Sequence, residues 1–111
     1  MTLGLALLCA TTLLGEDAPL KVSRADALGA VTTKVQPEYS PIAKQLHIEG
    51  TVELEAVISE AGSVESVNIV SGNPVLTKSA SDALKKWKFT PFKADGKPTK
   101  AVAPVNFNFK M

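Results

Sequence analysis

The feature that most constrains the fold of this 111-residue chain is a proline inside its last strand-forming run. Apolar and polar side chains alternate over residues 101–110, which is typical of a strand with one buried face. Pro104 lies within this run, and proline has no N–H to donate, so it is confined to edge strands, strand starts and bulges. The sequence therefore predicts a sheet whose last strand lies at an edge and has one unpaired side.

Two earlier runs predict a β-hairpin. Residues 51–59 alternate, so that one face of a strand carries Val52, Leu54, Ala56 and Ile58 and the other carries Glu53 and Glu55. Residues 64–70 are rich in Val and Ile, and the short connection contains Gly62, which can adopt positive φ. The first hairpin strand is expected in the middle of the sheet.

Two helices are predicted from cap and proline positions. Ser40 precedes Pro41 and Asn73 precedes Pro74, and in each pair the polar residue can cap a helix whose first position is the proline. The second, longer helix has an apolar stripe of Leu76, Ala80, Ala83, Leu84 and Trp87. Its last turn is expected to hold three cations, Lys85, Lys86 and Lys88.

Together these elements predict an α+β fold. It is a two-layer sandwich in which a three-stranded antiparallel sheet carries one main helix and one short helix. The folded domain is expected to span residues 34–111. Residues 16–33 show mixed polarity without a sustained period, and we interpret them as a linker, or as an arm that lies against the domain.

The N-terminus differs from the rest of the chain in its apolar composition. Residues 3–14 form an uncharged apolar run that is too short to span a bilayer, which takes roughly 20 residues, but has the length of a signal-peptide core. We interpret residues 1–15 as an export signal or a truncated membrane anchor, with a buried helix as the third alternative. The chain has one cysteine, Cys9, which excludes an internal disulfide and a Cys-based zinc site.

Charge is divided unevenly along the chain. Residues 1–70 hold nine acidic and four basic side chains, a net charge of −5, whereas residues 71–111 hold eight lysines and two aspartates, a net charge of +6. Ordinary solvated faces and a basic face that steers an acidic partner are both consistent with this division. The overall charge of +1 argues against a dedicated nucleic-acid binder.

No group of residues in the sequence has the pattern of a catalytic site, so we expect no enzyme, no metal and no cofactor. His47 is the single histidine and has no cysteine nearby, which is typical of a solvated or capping side chain. Glu53 and Glu55 share one strand face, but a solvated sheet surface explains them without a substrate cleft. Trp87 is expected to anchor the core, with a partly exposed contact residue as the alternative.

Six motifs in the same order resemble the C-terminal domain of TonB-family energy transducers. They are Gln36-Pro37-Glu38-Tyr39 with Pro41, Ile48-Glu49-Gly50 with Val52, Gly62-Ser63-Val64 with Val67, Ser71-Gly72 with Pro74, Trp87-Lys88-Phe89-Thr90-Pro91, and Val105-Asn106-Phe107-Asn108-Phe109-Lys110. The similarity covers residues 35–110. One departure is Ser40, which separates Tyr39 from Pro41 and makes the first motif one residue longer than its commonest form.

The resemblance implies a periplasmic domain, tethered to the inner membrane by its N-terminus in the family's transducers. Such domains bind the TonB box, a short extended segment of outer-membrane transporters, and pass on energy from an inner-membrane proton-motive complex for nutrient uptake of the siderophore type. The box pairs with the last strand, since an edge strand can bind an extended peptide by β-augmentation. The partner-binding residues implied are Gln36, Pro37, Tyr39, Val102, Ala103, Val105, Asn106, Phe107, Asn108 and Phe109.

A second interpretation stays open, because the transducers' long Pro-rich spacer has no counterpart before residue 35. In it, the chain is a secreted stand-alone adaptor or structural module of the same fold. Such a module would bind another extended peptide, or pair with a second copy of itself through the edge strand as a homodimer.

Overall fold

The computed structural model describes residues 19–111, which form an α+β sandwich. Its helices are α1 (Arg24–Ala30), α2 (Pro41–Gln45) and α3 (Pro74–Leu84). Its strands are β1 (Leu20–Lys21), β2 (Val31–Thr33), β3 (Gly50–Ile58), β4 (Val64–Ser71), β5 (Lys88–Phe89), β6 (Lys93–Ala94), β7 (Lys97–Pro98) and β8 (Ala101–Phe109).

The main sheet has the strand order β1-β8-β3-β4, with β3 antiparallel to both of its neighbours. The predicted α+β class and the middle position of the first hairpin strand are therefore confirmed. The register of β3 with β8 runs without a shift from Gly50 opposite Phe109 to Ile58 opposite Ala101. The sheet has one strand more than the three predicted, because β1 pairs in parallel with the beginning of β8. The prediction that the last strand lies at the edge of the sheet is therefore wrong, since β8 lies between β1 and β3.

One face of the sheet forms the core with the helices. The buried side chains of β3 and β8 are the expected alternating ones, and they are joined by Leu76, Ala80, Leu84 and Trp87 from α3 and the turn that follows it. Trp87 is only 1% exposed, which confirms it as a core anchor. The opposite sheet face carries Glu53 and Glu55, both half-buried.

Both predicted helix caps are confirmed. The Ser40 hydroxyl accepts a hydrogen bond from the Ala43 N–H, and the Asn73 amide oxygen accepts one from the Val75 N–H at 2.9 Å. His47 is exposed and follows the C-cap of α2, Leu46, in the left-handed region with φ 53°, which agrees with the expectation of a solvated or capping side chain.

The predicted end of the long helix is wrong. α3 stops at Leu84, and Lys85 is already its C-cap, so Lys85, Lys86 and Lys88 do not form its last turn. The N–H groups of Lys86 and Trp87 donate to the carbonyls of Ala83 and Leu84, three residues back. This tight turn directs the indole of Trp87 into the core, and Lys88 begins β5.

Residues 19–33 do not run as an unstructured linker. They form β1, α1 and β2, of which β2 pairs with β5, and only Ala27 among them is fully buried. A two-residue strand and a seven-residue helix with one buried residue leave no sustained period in the sequence. The structure therefore agrees with the second interpretation, an arm that lies against the domain. The domain boundaries themselves stay a prediction.

The interpretation of residues 1–15 as an export signal or membrane anchor lies outside the described residues. Over residues 19–111, no helix has both the length and the hydropathy to cross a membrane.

Gly62 lies in the turn between β3 and β4, at the point where this turn contacts Phe89 of β5. Its φ is 90°, and its carbonyl accepts a hydrogen bond from the Phe89 N–H at 2.8 Å. A Cβ at this position would lie 2.0 Å from the Phe89 carbonyl oxygen. Gly96, in the two-residue turn between β6 and β7, has a similar φ of 78° but open space around it.

We therefore expect Gly62→Ala to lower the free energy of unfolding by about 3 kcal/mol or more, because the left-handed backbone penalty adds to a clash with backbone. Gly96→Ala has the left-handed backbone penalty without the clash, so it is expected to lower the free energy of unfolding by about 1 kcal/mol. Urea unfolding followed by the fluorescence of Trp87 measures both. Equal losses for the two variants would contradict the close approach at Gly62.

Candidate functional site

The outer side of β8, which faces away from β3, is hydrogen-bonded to β1 and Val22 only at its beginning. The Leu20 N–H donates to the Lys100 carbonyl at 2.8 Å, and the Val22 N–H donates to the Val102 carbonyl at 3.0 Å. Because successive residues of a strand point their backbone groups to opposite sides, residues 104, 106 and 108 also face outward, away from β3. Within residues 19–111 no strand pairs with this side of β8 beyond Val102.

Pro104 therefore lies at a position of β8 where its missing N–H removes no hydrogen bond to β3. Its nitrogen faces outward, so the ladder between β8 and β3 is complete without it. We call the outward backbone of residues 104–109 the free edge. It offers the N–H and C=O groups of Asn106 and Asn108 and the C=O of Pro104 to an incoming strand.

The residues implied by the resemblance fall into separate groups along β8. Ala103, Val105, Phe107 and Phe109 are buried, and their backbone groups face β3. Asn106 and Asn108 are exposed and have outward backbone groups, whereas Val102 faces outward but is bonded to the β1 side. The free edge is therefore shorter than residues 102–109, and a paired strand would bond to Asn106 and Asn108.

β4 has the other open edge of the sheet, with Ile69 51% exposed. Its register with β3 shifts at two places, between Glu53 and Leu54 and between Val57 and Ile58. Such irregularities make an edge a poor template for a further strand. The unshifted β8 is the better candidate for strand pairing.

Residues 34–39, which we call the lead segment, are fixed to the core side of β8 by two aromatic side chains. The indole N–H of Trp87 donates to the Val35 carbonyl at 2.8 Å, and its ring packs edge-on against Phe107 with 5.5 Å between centroids. Tyr39 packs edge-on against Phe109, also at 5.5 Å, and its hydroxyl donates to the Ile48 carbonyl. Both contacts are with side chains of the free-edge half of β8.

Gln36 and Pro37 lie between these two fixed points. Gln36 is exposed and Pro37 half-buried. Gln36 lines a groove of about 200 Å³ between the lead segment and α3, together with Val35, Glu38, Ser79, Asp82, Ala83 and Lys86. A hydrogen bond from Lys78 holds the pKa of the Asp82 carboxyl below its ordinary value, which keeps a negative charge at the groove rim.

Two basic residues beside the site were not predicted. Arg24 reaches Asn106, whose side-chain oxygen accepts a hydrogen bond from the guanidinium at 3.1 Å when the amide is turned to satisfy both its neighbours. Lys34 lies over the Trp87 ring, 5.7 Å from its centroid. Neither residue lies in a recognisable motif: Arg24 is brought to the site by the packing of α1 on β8, and Lys34 precedes the first motif in the chain.

Comparison with known families gives one match over most of the chain. The family model described as the Gram-negative bacterial TonB protein C-terminal matches residues 35–111. The TonB protein of Vibrio cholerae serotype O1 is 35% identical over 88 residues, which cover 78% of this chain and 36% of that protein. The TonB protein of Escherichia coli K12 is 32% identical over 78 residues, covering 68% and 30%. The chain thus spans about a third of the length of these curated relatives.

Among solved structures, the fold resembles the solution NMR structure of the Pseudomonas aeruginosa TonB CTD. The TM-score is 0.61 at 25% identity, and the match covers 73% of this chain and 84% of that one.

Tyr39 provides a spectroscopic test of the lead segment, because it is the only tyrosine. Burial raises the pKa of its hydroxyl above the ordinary value of 10.0, and the Glu49 charge raises it further. We expect the ultraviolet titration of tyrosinate to have its midpoint above pH 10.0, whereas in urea it returns to the ordinary value. Since the folded pKa is the higher one, the stabilisation linked to Tyr39 is complete below pH 10.0 and is lost as pH rises through the folded pKa.

Glu49→Gln serves as the control for this titration. It is expected to lower the midpoint but to leave it above 10.0, because burial is the larger cause of the shift. A wild-type midpoint at or below 10.0 would mean that Tyr39 does not pack against β8 as described.

Proposed function

The chain belongs to the family of TonB protein C-terminal domains, and on that premise we propose that it binds the TonB box of outer-membrane transporters. The box would add a strand to the free edge of β8. We place this activity in the periplasm, with the N-terminus on the inner-membrane side and an inner-membrane proton-motive complex as the second partner. Its outcome would be energy-dependent uptake of nutrients of the siderophore type.

The observation that carries the proposal is the outward backbone of Asn106 and Asn108, with which no strand of residues 19–111 pairs. Each residue supplies one donor and one acceptor, and the Pro104 carbonyl supplies a further acceptor. An extended peptide satisfies such groups by β-augmentation, in which the main chain provides affinity and alternate side chains provide selectivity. The regular register of β8 favours this edge over that of β4.

The lead segment is positioned to supply the side-chain contacts. Gln36 is exposed between the two aromatic contacts that fix the lead segment to β8, so we propose it as a polar contact to the bound peptide. Pro37 and Tyr39 would act mainly by holding Gln36 in place. Arg24 and Lys110 flank the free edge and favour a peptide with acidic side chains.

Asn108→Pro tests the backbone contact directly. It removes an outward N–H and adds a ring on the side where the peptide would lie, but it leaves the ladder with β3 complete. We expect a synthetic TonB-box peptide to bind this variant at least about tenfold more weakly than wild type, measured by titration calorimetry. In the wild-type chain, the peptide is expected to shift the backbone amide signals of Asn106 and Asn108.

The matched control is Asn108→Ala, which loses the side chain but keeps the N–H. It is expected to bind within about threefold of wild type, since the peptide bonds to the backbone. Equal weakening of both variants would contradict strand pairing, and a wild-type chain without amide shifts at millimolar peptide would contradict the function. If a second copy occupies this edge instead, the shifts will depend on protein concentration without any peptide.

A further inference from the structure

The first described residues of the chain lie on the same edge of β8 that the proposed function requires. We call residues 20–30, which comprise β1, residues 22–23 and α1, the N-terminal arm. In the parallel register, Leu20 lies opposite Ala101 and Lys21 opposite Val102. This register pairs the Val102 N–H with the Leu20 carbonyl, in addition to the two bonds from Leu20 and Val22 described above.

The arm continues along β8 beyond its hydrogen bonds. Ser23 caps α1 by accepting a bond from the Asp26 N–H, and α1 then packs against β8 with Ala27 buried at 1% exposure. At the start of α1, the Arg24 guanidinium lies 3.1 Å from the side-chain amide of Asn106. The arm therefore pairs with the beginning of the outer side of β8, and its Arg24 side chain lies beside the free edge.

The contacts that hold the arm are few. Ala27 is its one fully buried side chain, and Leu28 is 53% exposed. Segments with so little buried apolar surface open at a small fraction of the free energy of global unfolding. Residues 31–33 form β2 and are held separately by pairing with β5, so the arm can leave β8 without unfolding the sheet.

We propose that the N-terminal arm is a strap that competes in cis with the extended partner for the outer edge of β8. This inference rests on the proposed function and adds its regulation. With the strap docked, the partner reaches only the short free edge after Pro104; with the strap released, the outward groups of Lys100 and Val102 become available as well. For pairing that extends to Lys100 and Val102, the apparent association constant is the intrinsic one multiplied by the fraction of chains in which the strap is released.

Val22→Pro tests the strap, because it removes the N–H that bonds to the Val102 carbonyl at 3.0 Å. Lys21→Pro is the matched control: its N–H points away from β8, since Leu20 and Val22 use theirs toward it. In the full-length chain without peptide, we expect amide exchange at Val102 to become at least about tenfold faster in Val22→Pro and to stay within about twofold in Lys21→Pro.

Peptide affinity is measured with the same TonB-box peptide. Val22→Pro is expected to bind it about three- to tenfold more tightly than wild type, and Lys21→Pro within about twofold. A second pair on α1, Ala27→Glu with the exposed Leu28→Glu as control, should repeat the result by a different route. The fluorescence melting curve of Trp87 identifies any variant that has lost its fold.

The outcomes separate the strap from the function it regulates. Faster exchange at Val102 with unchanged or weaker peptide binding would overturn the strap, since the arm would then merely complete the sheet. Unchanged exchange at Val102 in both Val22→Pro and Ala27→Glu would overturn it as well. No binding of peptide to any chain, with the strap released in Val22→Pro, would overturn the proposed function and the competition with it.

Discussion

The hydrogen bond from the Trp87 indole to the Val35 carbonyl joins three parts of the molecule that are far apart in sequence. Its donor follows the tight turn that ends α3, its ring packs on Phe107 of β8, and its acceptor begins the lead segment. A buried indole N–H without a partner would destabilise the fold by about 1–3 kcal/mol. The same bond therefore completes the core and fixes the position of Gln36 relative to the free edge.

Pro104 is the corresponding constraint on the strand. Because its nitrogen faces outward, β8 keeps a full ladder with β3 and an interrupted one on its other side. The interruption separates the part of the edge that β1 uses, at Lys100 and Val102, from the part at Asn106 and Asn108 that no described strand pairs with. One missing donor thus divides a single strand edge into two stretches that different segments can occupy.

The parts of the fold that depend on local chemistry could be predicted from the sequence. Ser40 and Asn73 cap their helices, and the alternation around Leu54 and Phe107 places these side chains in the core. The end of α3 could not be predicted, because the tight turn before Trp87 depends on the core that receives its side chain. The position of β1 could not be predicted either, since two residues that pair with the far end of the chain leave no local pattern.

The candidate site also depends on tertiary contacts that the local sequence pattern does not predict. Alternation identifies which β8 side chains are buried, but it does not say on which side of the strand each N–H lies, and that depends on the register with β3. The register shows that the backbone N–H and C=O groups of Asn106 and Asn108 face outward, whereas those of Phe107 and Phe109 face β3. Since backbone groups alone distinguish one extended peptide from another poorly, selectivity must come from side chains beside the edge. Arg24 lies beside the edge at Asn106, Gln36 lies in the groove next to α3, and both belong to segments that precede β3 in the chain.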